Sequence, residues 1–203
     1  MMITVVGVGA LGSHLVQFLR SLKTADGRLV NLRAVDFDRV EQKNLASQFH
    51  GKPGVGKLKV DALKQTMDFL YKRPIQTNSN KVVADNIGAV LLPPDAINLP
   101  TAHVVVDCLD NGASRRLVQG YVRQHSIPCL HGALAAGGTF GRVIWDEGFV
   151  VDDETAGAPT CEDGEFLPFI ALTSAYLARA VQEFTLTGKK VGFSVSPAGA
   201  FLV

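Results

Sequence analysis

No stretch of this 203-residue sequence stays apolar long enough to cross a bilayer, and no signal-peptide pattern precedes the first apolar run. Neither sign of charge dominates. Twenty Lys and Arg against 19 Asp and Glu leave a net charge of +1, so nothing electrostatic points to nucleic acid or an anionic membrane surface. Cysteine is scarce: Cys108, Cys129 and Cys161 are an odd number and form no C-x-x-C pair. That argues against a disulfide framework and a zinc ribbon, and makes the reducing cytoplasm the expected compartment. Internal repeats and low-complexity linkers are also missing. What remains is a globular composition, 47% hydrophobic and 19% charged, enough for one core.

Against these absences, glycine is placed with purpose. Ile3–Gly12 reads Ile-Thr-Val-Val-Gly-Val-Gly-Ala-Leu-Gly, a β-branched run followed by Gly7, Gly9 and Gly12 in Gly-x-Gly-x-x-Gly spacing. A helical pattern follows, with Leu11, Leu15, Phe18, Leu19 and Leu22 on one face. Strand, tight turn and helix start are the context in which this spacing signals a dinucleotide or nucleotide site. Gly7 allows the turn, Gly9 lets a phosphate reach the backbone, and Gly12 lets helix and strand approach closely. The helix N-terminus offers free N–H groups to an anion. The turn alone does not separate NAD, FAD and ATP, and a ligand-free Gly-rich βα turn has the same pattern.

Strand and helix patterns alternate along the chain, predicting an α/β, Rossmann-like fold. Its sheet is expected to be mostly parallel, with helices on both faces and some antiparallel strands on the C-terminal side. Leu29–Val35 is the second strand, Leu58–Tyr71 a helix with Leu63, Met67 and Leu70 inward, and Ile75–Val83 a weak strand. Val104–Cys108 is apolar on both faces, as a buried parallel strand should be. A helix is expected to about His125, then strands at Ile127–Leu130 and Gly141–Trp145, a helix over Phe169–Leu186, and a last strand at Val191–Ser196. We read residues 1–203 as a single domain. It divides into a nucleotide-binding core (1–145), a mobile acidic loop carrying Cys161 (146–166), and a closing helix and strand (167–203).

Chemistry-bearing residues gather at strand ends. Asp36 ends the second strand, where a carboxylate can accept both ribose hydroxyls of a nucleotide on the glycine turn; a solvated Asp is the plain alternative. Asp107 and Asp110 lie at and just beyond the buried strand, where a carboxylate suits Mg²⁺ bound with phosphate oxygens. Asp110 could equally cap the following helix. Lys57 and Lys59 open the helix after Gly56 and could offset charge on a departing pyrophosphate. Cys161 lies in a polar loop; its neighbours Glu162 and Asp163 work against thiolate formation. Cys108 and Cys129 fall on core strands. The histidines show neither ligand spacing nor an acid partner in the sequence.

Five motifs occur in order: Gly7-Val8-Gly9-Ala10-Leu11-Gly12, Asp36-Phe37-Asp38-Arg39-Val40, Asn44-Leu45-Ala46-Ser47-Gln48, Val55-Gly56-Lys57-Leu58-Lys59 and Asp107-Cys108-Leu109-Asp110-Asn111. This set resembles the ThiF/MoeB/ubiquitin-activating-enzyme adenylation domain, and the likeness continues through Pro159-Thr160-Cys161 and the long helix. The resemblance implies ATP- and Mg²⁺-dependent adenylation of the C-terminal glycine of a ubiquitin-like or sulfur-carrier protein, by a homodimer. It implies phosphates on Gly7, Gly9 and Gly12, ribose on Asp36, and a nucleotide site that also includes Asp38, Asn44, Gln48 and Lys59. Asp110 would hold Mg²⁺, and Cys161 matches the cysteine that takes the acyl group in some members. Ser47 stands where the family usually has arginine; Arg39, Lys43, Lys57 and Arg115 are the cations that could replace it. The family's C-x-x-C zinc pairs are missing, so no zinc is expected. Two other readings remain: a non-catalytic scaffold of the same fold that binds nucleotide or carrier, and an NAD(P)-dependent oxidoreductase. The second explains the glycine turn and Asp36 but leaves the other motifs unused.

Overall fold

The computed structural model describes residues 1–92, 103–135, 137–151 and 164–203. Eight strands form a sheet in the order β3-β2-β1-β4-β5-β6-β7-β8. The strands are β1 (Met2–Val6), β2 (Asn31–Val35), β3 (Gln76–Asn78), β4 (His103–Asp107), β5 (Cys129–Leu134), β6 (Gly141–Trp145), β7 (Phe193–Ser196) and β8 (Gly199–Leu202). β3 through β5 run parallel, and β6, β7 and β8 continue the sheet antiparallel. The expected mixed sheet is therefore observed. The helices are α1 (Ala10–Phe18), α2 (Lys59–Tyr71), α3 (Ile87–Leu91), α4 (Gly112–Gln124) and α5 (Leu167–Thr187).

Every residue of β1 and of β4 is buried, because helices cover both faces of the sheet there. Alternation sorts their side chains. Ile3, Val5, Val104 and Val106 join the core with Leu15 of α1, Leu63 of α2 and Leu177 of α5. Val6 and Val105 turn the other way, to Val90 of α3 and Val118 and Val122 of α4. Thr4 shares that second face and donates its hydroxyl to the Leu91 carbonyl at 3.1 Å. On this face the ends of β4 and β5 carry charge instead of hydrocarbon, with consequences described below.

Several expectations shift at element ends. α1 stops at Phe18 and passes into a 3₁₀ turn over Leu19–Ser21, so Phe18 is 38% exposed and Leu22 lies past the helix. Leu70, expected inward on α2, is 52% exposed at the last turn. The weak strand shrinks to Gln76–Asn78, and the fifth strand extends to Leu134. Gly188, with φ +74°, closes α5 by a left-handed cap. Val191–Ser196 is not the last strand: β8 follows it through a hairpin at Pro197–Ala198.

Candidate active site

β1 is flanked by β2 on one side and β4 on the other, so the chain's crossovers diverge between β1 and β4 and open a crevice at their carboxyl ends. Val6 and Asp107 are register partners there, and two turns leave the sheet side by side. The first is the glycine turn. Gly7 has φ +84°, and a Cβ on it would stand 2.9 Å from the Cys108 carbonyl oxygen. Gly12 is packed against the turn itself: a Cβ there would fall 1.9 Å from the Gly7 carbonyl oxygen. Gly9 differs. It is the N-cap of α1 with no side-chain cap, and the nearest atom to its would-be Cβ is Gln48 Nε2 at 3.9 Å. Packing therefore demands glycine at 7 and 12, whereas at 9 the space is open in front of the helix N-terminus.

Side chains hold this turn from two sides. Asp36, just past β2, accepts the Val8 N–H at 2.8 Å on one oxygen and the Asp38 N–H at 2.9 Å on the other. Burial pushes its carboxyl above the usual range; the nearby Lys59 ammonium and these two N–H bonds offset only part of that. His50 grips the opposite face of the same residue, its Nε2 3.1 Å from the Val8 carbonyl oxygen. The segment bearing Gln48 is strapped to α1: Ser13 Oγ accepts the Phe49 N–H at 2.9 Å, and His14 Nε2 contacts the Ser47 carbonyl oxygen at 3.2 Å. Gln48 Oε1 is buried with no hydrogen-bond partner.

Of the remaining candidates, Lys59 is 8% exposed at the first position of α2, and its ammonium lies 3.0 Å from Asp38 Oδ2. Asp38 thus sets the position of the lysine. Asn44 is buried and accepts the Glu41 N–H at 2.8 Å, completing a capping box around the 3₁₀ turn Gln42–Ala46. Its oxygen is already engaged in shaping the segment. Ser47 is fully buried, so an arginine side chain at that position has no room without displacing the segment. Among the four cations that could replace that arginine, Arg115 faces the interior, Arg39 donates to the Gly56 carbonyl at 2.7 Å, and Lys57 donates to Gln65 Oε1 at 2.8 Å. Lys43 lies 3.6 Å from Glu41.

The second turn separates two aspartates that the sequence presents together. Asp107 is not a surface metal ligand: it is fully buried, and accepts the Leu109 N–H at 2.9 Å, Arg115 Nη1 at 3.1 Å and His131 Nδ1 at 2.8 Å. Asp110 is exposed, with no partner among the described residues. Nor does it cap α4. Asn111 is the N-cap, accepting the Ser114 N–H at 2.8 Å, which leaves the Asp110 carboxylate available. Among the described residues no three His, Cys, Asp or Glu side chains gather as a metal cage. A lone carboxylate suits Mg²⁺, which is commonly held by one or two carboxylates with phosphate oxygens and water.

Sequence reasoning missed His50 and His131. His131 has two acid partners, Asp107 of β4 at 2.8 Å and Asp146, just past β6, at 3.1 Å. Cys129 is buried and its thiol is pushed far up by burial; Cys108 is raised by the same cause, so neither is a poised nucleophile. Cys161 lies outside the described residues.

The ThiF family matches residues 1–185, and the chain belongs to it. The SAMP-activating enzyme E1 of Haloferax volcanii is 31% identical over 137 residues, 65% of this chain and 45% of that protein. The molybdopterin-synthase adenylyltransferase of Escherichia coli is 28% identical over 133 residues, 64% of this chain and 48% of that protein. The chain thus spans about half the length of the curated relatives it matches. In fold it is similar to Escherichia coli MccB solved with ATP, with a TM-score of 0.70 at 15% identity over 100% of this chain and 63% of that one.

Proposed function

We propose that this chain carries the nucleotide-activating site of an enzyme that adenylates the C-terminal carboxylate of a ubiquitin-like or sulfur-carrier protein, using Mg·ATP. The observation that carries this reading is the convergence of the open Gly9 turn, Asp36 and the Asp110 carboxylate, which has no partner among the described residues, on one strand-order reversal. An NAD(P) enzyme uses the first two and has no work for the third. Family membership and the two named relatives support the same class of reaction.

In this reading the α1 N-terminus and Gly9 receive the phosphates, Asp36 the ribose, and Asp110 the metal that would neutralise phosphate charge. Gln48, beside Gly9, contributes its amide N–H groups, and Asn44 and Asp38 hold the segment and Lys59 in place. A carrier carboxylate oxygen attacks the α-phosphorus; the bond to the bridging oxygen breaks, and pyrophosphate leaves with the electron pair. Lys59, fixed at the head of α2, offsets the charge that develops on it. Cys161 is the proposed acceptor of the activated acyl group, with AMP as the leaving group.

Calorimetric titration of ATP and of NAD, each with and without Mg²⁺, tests the reading in the wild type and Asp110→Asn. ATP binding that Mg²⁺ tightens only when Asp110 is present is the expected result. Preference for NAD, indifferent to Mg²⁺, would overturn it.

A further inference from the structure

Beneath α4, on the face of the sheet opposite α1 and α5, five charged or ionisable side chains form one cluster, buried except for the half-exposed Arg123 at its rim. Asp107 ends β4, His131 stands on β5, and Asp146 follows β6. Arg115 and Arg123 come down from α4. His131 lies between the two carboxylates and stacks on Phe149, with ring centroids 4.2 Å apart and planes within 3°. Both of its ring nitrogens lie within hydrogen-bond distance of a carboxylate oxygen. Asp146 is tied in by Arg123 Nε at 2.7 Å and Gln119 Nε2 at 2.9 Å.

The output of this cluster is a single peptide turn. Asp107 accepts the Leu109 N–H at 2.9 Å, while Arg115 donates to the Leu109 carbonyl oxygen and, at 2.7 Å, to that of Gly132. Both polar groups of Leu109 are therefore gripped by buried charges, and the next residue is Asp110. Asp107 keeps its carboxylate on that N–H because Arg115 and His131 fix its other oxygen, 3.1 and 2.8 Å away. A packing role alone would be filled by hydrocarbon of similar volume, which is commonly as stable as buried ion pairs.

We propose that His131 is a positioning residue for Asp110: through the buried Asp107 carboxylate it holds the Leu109–Asp110 turn at the mouth of the crevice. The inference rests on the metal-binding assignment of Asp110 above for its function, but not for its mechanical part.

Two variants separate contact from bulk. His131→Leu removes both contacts; His131→Asn keeps a nitrogen where Nδ1 stands and so keeps the bond to Asp107. Hydrogen exchange of the nucleotide-free protein reads the mechanical part. In H131L the Leu109 amide is expected to exchange about tenfold faster, with the amides of Val5 and Leu15 unchanged and H131N close to wild type. The functional part is read as the Mg²⁺-induced tightening of ATP binding. H131L is expected to lose most of it, and to remove nothing more when added to Asp110→Asn. Unchanged Leu109 exchange, or a rise shared equally by Val5 and Leu15 and by H131N, would overturn the proposal. An H131L that lowers the Mg²⁺ effect equally with and without Asp110 would overturn it too. If Asp110→Asn keeps the full Mg²⁺ effect, the metal assignment fails by itself, and the exchange data still decide whether His131 holds the turn.

Discussion

The glycine turn and the Asp110 turn leave adjacent strands at the Val6–Asp107 register pair, and in each one residue is gripped at both its N–H and its carbonyl. At Val8 the two grips are a half-buried Asp36 and a histidine, His50, on an otherwise neutral contact. At Leu109 they are Asp107 and Arg115, backed by the fully buried His131 and, behind it, the Asp146–Arg123 pair. The first turn is shaped mainly by what glycine lacks, the second by what buried charges demand. A conformation set by a missing Cβ fails through collision when the atom is added. One set by ion pairs fails when a partner is taken away.

The largest effect is expected from collision. Gly12→Ala puts a Cβ 1.9 Å from the Gly7 carbonyl oxygen, with backbone on both sides of the clash. It should cost more than about 4 kcal/mol or prevent folding, as read from the urea midpoint. Gly9→Ala is its internal control: with nothing nearer than 3.9 Å, it should cost no more than about 1 kcal/mol, as a poorer N-cap, while ATP binding weakens. Equal losses of stability in the two variants would mean that the turn is uniformly tight and that Gly9 opens no approach.

Removing a partner comes next. Asp107→Leu leaves the buried Arg115 and His131 without their shared carboxylate. The expected loss is about 3–5 kcal/mol in denaturant unfolding. A loss below 1 kcal/mol would mean that water reaches the cluster, and would erase the contrast between the turns.

These two turns were not equally readable in the sequence. Gly7, Gly9 and Gly12 lie within six residues, and each acts on its immediate neighbourhood, so spacing and flanks carry the information. The cluster under α4 joins positions 107, 115, 123, 131 and 146, whose proximity depends on the pairing of β4, β5 and β6. Asp107 and Asp110 look alike in the sequence; only the fold shows that one faces α4 and the other solvent. The same limit applies at element ends. Phe18 and Leu70 obey the helical period, yet both are exposed while Leu19 and Tyr71 beside them pack on the core. β8, whose residues 201 and 202 are more than half exposed, has no hydrophobic alternation to announce it.

Acid should loosen the two turns at different pH. Burial holds His50 down to about 4 from 6.5, with the Val8 bond pulling upward and the Lys59 and His14 charges downward. Between those values the unfolded chain takes up a proton that the folded one does not, so stability falls as pH falls from 6.5 to 4. The His50 share is at most about 3 kcal/mol. Above 6.5 the ring is neutral in both states and contributes no slope. In the cluster behind the other turn, burial raises Asp146, but hydrogen bonds from Arg123, Gln119 and His131 more than offset it and hold the carboxyl below its usual range. Its contribution is present above the ordinary carboxylate value and is lost only as pH falls through the lowered one. His103, also lowered to about 4 by burial, titrates in the same window as His50. The comparison therefore rests on His50→Gln, whose stability curve should be flatter than wild type between pH 6.5 and 4 and parallel below it. A parallel curve throughout would mean that His50 takes up its proton at the same pH in the folded and unfolded chain.

The smallest stability effect belongs to the residue with the largest proposed functional one. Asp110 has no partner among the described residues, and its neighbour Asn111 already caps α4. Asn111→Ala should cost about 1 kcal/mol as the Ser114 N–H loses its acceptor. Asp110→Asn should stay within about 0.5 kcal/mol of wild type, and yet abolish the Mg²⁺ effect on ATP binding. A carboxylate that contributes to stability would have been neutralised by a local hydrogen bond or ion pair; one left exposed beside a gripped peptide keeps its charge for something that arrives later. If Asp110→Asn instead destabilised the protein as Asn111→Ala does, the exposed aspartate would be a second cap. The two turns would then differ only in how they are built, and the metal would need another ligand.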